Sequence, residues 1–511
     1  MRLKKLMQRN FKFLVTYPLA LFLLAMAGKL LQDKSWFLGF FFFISSGLII
    51  YVYAISKKIP GKYLVPGLLL LLLFHVYPAF YSGVVAFTND SNGHQISKEQ
   101  AIDAIITDSR IPVEGLLPIK YVTAKEIGTN TLFLIFQYPD SNFWAGNNES
   151  LMPLNNSDVS TSDSGVVTKA IGFRILTPSQ SADVSSSLQD IVVELKDGIS
   201  LSPSDLEVLE ASKPSYIYSA QRDELVEVST GIHYRPNNNG QMVAPSGELL
   251  YPGWKVNVGW RNFSSVVSDP EVRRPLAAVL AWTLFNAFLI VVLSFLFGLI
   301  LALTFNSPHL RSKRVYRTIF ITPLAIPSVL SVLVWAGLFG SETGVIDRMF
   351  HISTPWLTDS FWARIAVLIV ELWISFPYMF LISTGAIQAI PNEIIEAAEI
   401  DGASPLKSFT LIKLPLVLRT VAPLLVASLA MALNNFGVIY LLTGGGPVFS
   451  NSNGNAGATD ILISYTYKLA FNSQEGNNYG LASALSILNF ALIALISIYG
   501  LRRMKTMEGV N

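Results

Sequence analysis

Long apolar runs separated by short polar breaks make up most of this chain. A helix needs about 20 mostly apolar residues to cross roughly 30 Å of hydrocarbon. Eight runs meet that requirement, at about 13–31, 36–56, 63–87, 276–305, 319–339, 363–390, 421–442 and 481–501. The first run is too long for a cleaved signal, lacks a small-residue cleavage site, and is followed at once by a second span. The pattern changes over residues 88–275. There, polar clusters such as "GNNESLMPLNNSDVSTSDSG" alternate with short runs such as "TLFLIFQYP", "GVVTKAIGFRIL" and "DIVVELKDG", which read as strands. "SKEQAIDAIITD" reads as a helix with Ser97 as N-cap and Gln100 at N3. A stretch this long is expected to be a folded domain, mostly β with a helix or two, and not a linker. The Asn/Ser cluster near 147–164 reads as a mobile loop.

Composition agrees with a membrane protein. Hydrophobic residues make up 51% of the chain and charged residues 14%, against about 25% charged in a typical soluble protein. A net charge of +2 is too small to imply nucleic acid. The chain has no cysteine, which removes disulfides, thiolate metal sites and cysteine nucleophiles. It contains no HExxH motif and no GxxxxGK[ST] phosphate loop, so no metal site is expected and any ATP must be bound by another chain. Basic residues set the orientation. Five occur in "MRLKKLMQRNFK", and others are Lys57, Lys58, Lys62, Arg311, Lys313, Arg314, Arg317, Arg502, Arg503 and Lys505. All fall on one side if both termini are cytoplasmic, and the opposite loop near Lys34 is poor in them. This topology puts 88–275 outside the cell membrane and 391–416 in the cytoplasm.

That cytoplasmic segment includes "EAAEIDGASPLKSFTLIKLP", Glu396 to Pro415. Pro391 suits a helix start, and Glu393 and Glu396 then lie near the positive end of its dipole. Gly402 can close the helix. Ser404 and Pro405 restart a second one as N-cap and N1, and Pro415 is expected to end it. On these grounds alone the segment is either an interfacial connector or a docking surface. Its spacing, Glu-Ala-Ala, then Gly402, then Ile412-x-Leu414-Pro415, resembles the EAA loop of permease subunits in bacterial ABC importers. The resemblance extends to "GIHYRPNNNGQM", "YPGWKVNVGWRNF", "ITPLAIPSVLSVLVWAGLF", "FPYMFLISTGAIQAIPNEIIEAAEIDGA" and "LNNFGVIYLLTGGGP". These stretches, with the large domain after span three, are similar to the larger permease subunit of maltose/maltodextrin importers.

The resemblance implies an α-helical polytopic inner-membrane protein with a type I importer core at 276–511, three leading spans within 1–87, and a periplasmic domain at 88–275. It implies no enzymatic activity and no cofactor in this chain, with ATP and Mg on a partner ATPase dimer. Glu396, Ala397, Ala398, Asp401 and Gly402 would couple to that ATPase. A second permease subunit and an extracytoplasmic sugar-binding protein complete the expected partners. The cargo would be a maltodextrin-like oligosaccharide, moved by alternating access.

Polar groups within spans are rare and usually face a cavity. Span six offers Glu371, Trp373, Ser375 and Tyr378; span seven offers Asn434 and Asn435; span five has Ser328 beside Pro327. The resemblance places Ser328, Ile374, Ser375, Tyr378 and Asn435 at or near sugar-lining positions. It also marks two departures: Glu371 and Ala432 stand where the family has asparagines. A carboxylate accepts from sugar hydroxyls but cannot donate. The substrate is then a different oligosaccharide, or Glu371 carries a proton. Other readings stay open. Glu371 suits a helix–helix hydrogen bond, Asn434 and Asn435 suit helix packing, and Trp373 reads as packing. "TGGGP" at 443–447 is either a plain helix stop or a tight turn approached closely by a partner. An ion-coupled transporter is the alternative mechanism, with Glu371 as its one obvious intramembrane ionisable group. A receptor would need an output module, for which the cytoplasmic segments are too short.

Overall fold

The computed structural model describes residues 12–32, 36–55, 59–113, 118–138, 142–162, 166–195, 198–306, 312–340, 344–450, 456–471 and 476–508. The basic residues at 2–9, Lys34, Lys57, Lys58 and Arg311 lie outside them, as does the side chain of Lys505. Two compact units form, one from 1–87 with 259–511 and one from Thr88–Val258. The expected domain end at 275 therefore shifts to 258. Helix Arg261–Ser268 belongs with the spans because Val266 is buried among Val272, Val279, Leu469 and Leu485. The fourth span starts at Pro270, capped by Asp269, whose side chain accepts from the Glu271 N–H. Arg273 and Arg274 had concealed that start from a hydropathy reading.

Among the described residues, seven helices are long and apolar enough to span a bilayer: Leu14–Gln32, Trp36–Ile55, Pro60–Val85, Pro270–Phe305, Ser360–Gln388, Pro405–Leu433 and Tyr479–Arg503. The expected fifth span is not straight. It is a bent pair, Lys313–Ala325 and Ser328–Leu338, turned by 91°. Pro327 lacks an N–H and forces the residue before it out of helix, and Ile326 is indeed extended at φ −85°, ψ 128°.

The expected seventh span at 421–442 also differs. The helix begins earlier, at Pro405, and stops at Leu433; after Asn434 and Asn435 a short helix, Phe436–Leu442, resumes. Pro415 does not end the helix it follows. A π-turn at Phe409–Lys413, in which the Leu414 N–H reaches back to the Phe409 carbonyl, leads directly into Leu414–Leu433. Pro415 sits in the first turn of that helix, where a missing N–H has no consequence.

Small residues set the closest crossings. A Cβ on Gly298 would lie 2.6 Å from the Phe380 amide nitrogen, so only glycine lets the fourth and sixth spans meet there. In the leading hairpin the buried Ser46 hydroxyl donates to the Ala20 carbonyl at 2.9 Å.

The Thr88–Val258 unit is built on two antiparallel sheets. In the larger, strands Leu151–Leu154, Asn142–Gly146, Leu132–Tyr138, Ile119–Glu126, Val208–Lys213, Ser200–Pro203 and Val193–Glu194 lie side by side in that order. The smaller sheet has five strands between Tyr216 and Leu250. Helix Lys98–Asp108 carries the expected capping box of Ser97 and Gln100 and buries Ala101, Ile102 and Ile105 on the smaller sheet's cluster. The cluster expected as a loop is largely ordered. It supplies strands Leu151–Leu154 and Val159–Thr161, while 163–165 lie outside the described residues. Its strands escaped a pattern reading because they are only four and three residues long and stand among Asn and Ser.

Candidate functional site: an exposed corner and a buried clasp

The polar segment after the sixth span folds as one short helix and the first turns of the seventh span, joined by a tight corner. Asn392–Ile400 is the first, with Pro391 at its N-cap. Its end is a Schellman motif: Gly402, at φ +78°, donates to the Glu399 carbonyl at 3.0 Å, and Ala403 donates to the Ala398 carbonyl at 2.9 Å. The positive φ is what requires glycine at 402. The Ser404 hydroxyl then accepts from the Lys407 N–H, with Pro405 opening the second helix. Ile395 packs against the cluster of Ile390, Val417 and Val421. Ala398 is buried, so it seats the helix and does not offer it to a partner. Glu396, Ala397, Asp401 and Gly402 are exposed, as are the apolar tips Ile400 (86%) and Leu406 (72%). The corner thus presents exposed apolar tips among acidic residues.

Sequence spacing puts Glu371, Ile374, Ser375 and Tyr378 on one stripe of the sixth span, at i, i+3, i+4 and i+7. Glu371 is 1% exposed. Its Oε2 accepts from Asn286 Nδ2 at 2.9 Å and its Oε1 from Asn435 Nδ2 at 2.8 Å. The carboxylate thus clasps the fourth span, the sixth span and the break after Leu433. Of the expected pathway residues, Ile374 and Ser375 are half-buried, and Tyr378, Ser328 and Asn434 are exposed. Asn434 points to a different helix from its neighbour: its Oδ1 accepts from Asn489 Nδ2 at 3.0 Å, beside a cavity of about 320 Å³ lined also by Thr466 and Ser486. Trp373 packs edge-on against Trp335 at 6.1 Å. Sequence reading missed Asn286 and Asn489. Each is a lone asparagine in an apolar run, "LFNAFLI" and "SILNFAL", and that isolation was the available signal.

"TGGGP" closes the helix Phe436–Leu442. At Gly445 the close approach is made by this chain's own residues: a Cβ there would fall inside the contact radius of Asp460 Oδ1. Asp460 is fully buried, pairs with Lys468 Nζ at 2.6 Å, and accepts from the Ser464 hydroxyl at 2.8 Å and the Gly457 N–H at 2.7 Å.

A bent span, a capped exposed corner and buried polar ties between apolar helices describe a transport subunit of the membrane. A family model for the binding-protein-dependent transport system inner membrane component matches residues 294–504. One for the N-terminal part of the TM subunit in PBP-dependent ABC transporters matches 69–149. Maltose/maltodextrin transport system permease protein MalF of Yersinia pestis is 31% identical over 97% of this chain and 94% of its own length. The MalF of Escherichia coli strain K12 is 32% identical over 90% of each chain, and that of Vibrio parahaemolyticus is 31% identical over 91% of this chain and 89% of its own. The chain belongs to the MalF family of ABC importer permease subunits. It is a multi-pass membrane permease with an inserted β-rich domain, and its relatives carry the name of transport system permease proteins.

Proposed function

We propose that this chain moves maltose or maltodextrin-like oligosaccharides across the inner membrane, driven by ATP hydrolysis on a separate ATPase dimer. A second permease subunit completes the pathway, and an extracytoplasmic sugar-binding protein delivers the cargo. Both termini are then cytoplasmic and Thr88–Val258 is periplasmic. One observation carries the mechanism: the helices on either side of the coupling corner both lead to the clasp. From Gln388, Glu371 lies about 25 Å up the sixth span, and the helix leaving Pro405 ends beside Asn435. A push on Glu396, Ala397, Asp401 and Gly402 would therefore shift two rods, the interior of the first being joined to the end of the second by the Glu371–Asn435 hydrogen bond. Opening that bond would free a carboxylate oxygen and an amide for sugar hydroxyls, with Ile374, Ser375 and Tyr378 on the same stripe. Closing it would expel them, which is switching between two access states.

The test is uptake of labelled maltose, maltotriose, longer dextrins, trehalose and a β-linked glucan by cells with and without the chain. Selective loss of the maltodextrins supports the reading. Loss of another sugar alone would keep the importer and overturn its cargo.

A further inference from the structure

Three segments of the permease core meet where the fourth span ends. Asn306 closes Pro270–Phe305, its backbone N–H donating to the Ala302 carbonyl at 3.0 Å. Its side-chain Oδ1 accepts twice, from Arg317 Nη2 at 2.8 Å and from Gln388 Nε2 at 3.0 Å. Arg317 belongs to the first half of the bent pair, Lys313–Ala325. Gln388 is the last residue of the sixth span, shortly before Pro391 opens the exposed corner. One oxygen thus ties the fourth span, the bent pair and the entry to the corner, and both of its lone pairs are used. Among the described residues, Asn306 is the only hydrogen-bond acceptor of the Arg317 side chain, whose Nε is buried without a partner.

Aromatic rings extend the tie. Phe305 packs against Tyr316 at 5.0 Å and Phe320 at 4.9 Å, and Phe320 lies edge-on to Phe380 of the sixth span at 5.9 Å. The first half of the pair is therefore held to both neighbouring spans. Beyond the 91° bend the second half packs near the clasp: Val332 and Phe339 are buried with Val370 and Val438, which are close in sequence to Glu371 and Asn435. The bent pair is thus a third connection between corner and clasp, beside the two helices that flank the corner.

We propose that Asn306 is a positioning residue for transport: it makes the first half of the bent pair follow the corner, so that movement there turns the second half, beginning at Ser328, about the bend at Ile326 and Pro327. This rests on the coupling role proposed above for the corner. A bend between two short helices is where rigid halves reorient, because a few backbone angles absorb the change. The chemistry at 306 separates positioning from packing. An aspartate there keeps an acceptor for each donor and adds a charge opposite Arg317. A leucine keeps the bulk and accepts from neither.

The test uses the whole importer in proteoliposomes loaded with ATP and reads labelled maltotriose taken up per ATP hydrolysed. Asn306→Leu should lower that ratio about tenfold, and Asn306→Asp should recover most of it. Gln388 is exposed, so Gln388→Leu removes one arm of the tie without disturbing the core, and it should lower the ratio about fivefold, the worth of one hydrogen bond. A side chain that only held the fold would lower uptake and hydrolysis together and leave the ratio unchanged, and that result overturns the proposal. So does equal loss in Asn306→Asp and Asn306→Leu. Glu396→Lys is the reference. If it transports normally, the coupling role of the corner fails and this inference with it. If it is impaired while Asn306→Leu and Gln388→Leu keep the original ratio, the tie alone fails.

Discussion

Gly445 and Gly444 are adjacent and both left-handed, at φ +83° and +59°, yet they differ sharply in surroundings. Nothing lies within 4 Å of a Cβ on Gly444, whereas one on Gly445 overlaps Asp460 Oδ1 and lies 2.5 Å from Lys468 Nζ. Alanine at either site pays a left-handed backbone cost of about 1–2 kcal/mol. At 445 the new methyl must also displace a buried ion pair. Asp460 is fully buried and cannot turn to water, and disrupting such a pair costs about 3–5 kcal/mol. Gly445→Ala is thus expected to destabilise by about 4–7 kcal/mol, and Gly444→Ala by about 1–2 kcal/mol. Thermal denaturation of the purified chain, read as loss of the monodisperse peak after heating, compares them. In an Asp460→Ala background the clashing oxygen is gone and Lys468, no longer held by it, can swing aside, so the two alanine substitutions should then cost about the same. Equal midpoints in the original background would refute the argument.

Three further outcomes follow from the same geometry. Glu396→Lys should reduce uptake at least tenfold while membrane levels hold if the proposed coupling runs through this exposed corner; normal uptake would remove Glu396 from that role. Glu371→Gln should lower thermal stability by about 1 kcal/mol, since one of its two asparagine donors then meets an NH₂, and Glu371→Leu by about twice that; identical midpoints would show that the clasp is not structural. The β-rich unit should weaken in acid. Hydrogen bonding from Lys98 holds the Asp223 carboxyl below its ordinary range, and at Glu224 burial pushes the carboxyl up but Arg235 and His233 outweigh it and hold it low. Depressed carboxylates give stability that is present above the unfolded values, 3.8 and 4.5, and lost as pH falls through the folded ones. Burial lowers His94, so its share is lost as pH drops below 6.5. Unfolding followed by a fluorophore placed within 88–258 should show decline beginning below pH 6.5 and steepening below 4.5; a flat profile from pH 7 to 4 would sink this account.

What could be read from the sequence was local. The Ser97 box and the Gly402 corner follow from patterns a few residues long, and each stands where those patterns put it. The failures involve distance or compensation. Pro415 reads as a stop, but a π-turn upstream accommodates it. Asn434 and Asn435 read as part of one span, yet each is drawn to a different helix, to Asn489 and Glu371. The glycines of "TGGGP" announce a close approach without saying by what, and Asp460 is set by tertiary packing. Glu371 was visible as an anomaly; Asn286, its second partner, is 85 positions away and no short-range rule connects them.

Glu371 also fixes the polarity of whatever meets the clasp. As an acceptor only, it turns the amide nitrogens of Asn286 and Asn435 toward itself. Their carbonyl oxygens must then point elsewhere, and the Asn286 oxygen is buried without a partner. An asparagine at 371, as the family resemblance expects, would offer both a donor and an acceptor and would let those amides turn either way. The carboxylate version is therefore a site of acceptors, suited to ligands that donate. Glu371→Asn is expected to relax that bias. In the original chain, O-methylation of sugar hydroxyls, which removes donors and keeps ether oxygens, should impair competition for uptake about tenfold per critical hydroxyl, and in Glu371→Asn by clearly less. Competition by methylated maltosides that is unchanged between the two chains would mean that the carboxylate serves only to hold the helices together.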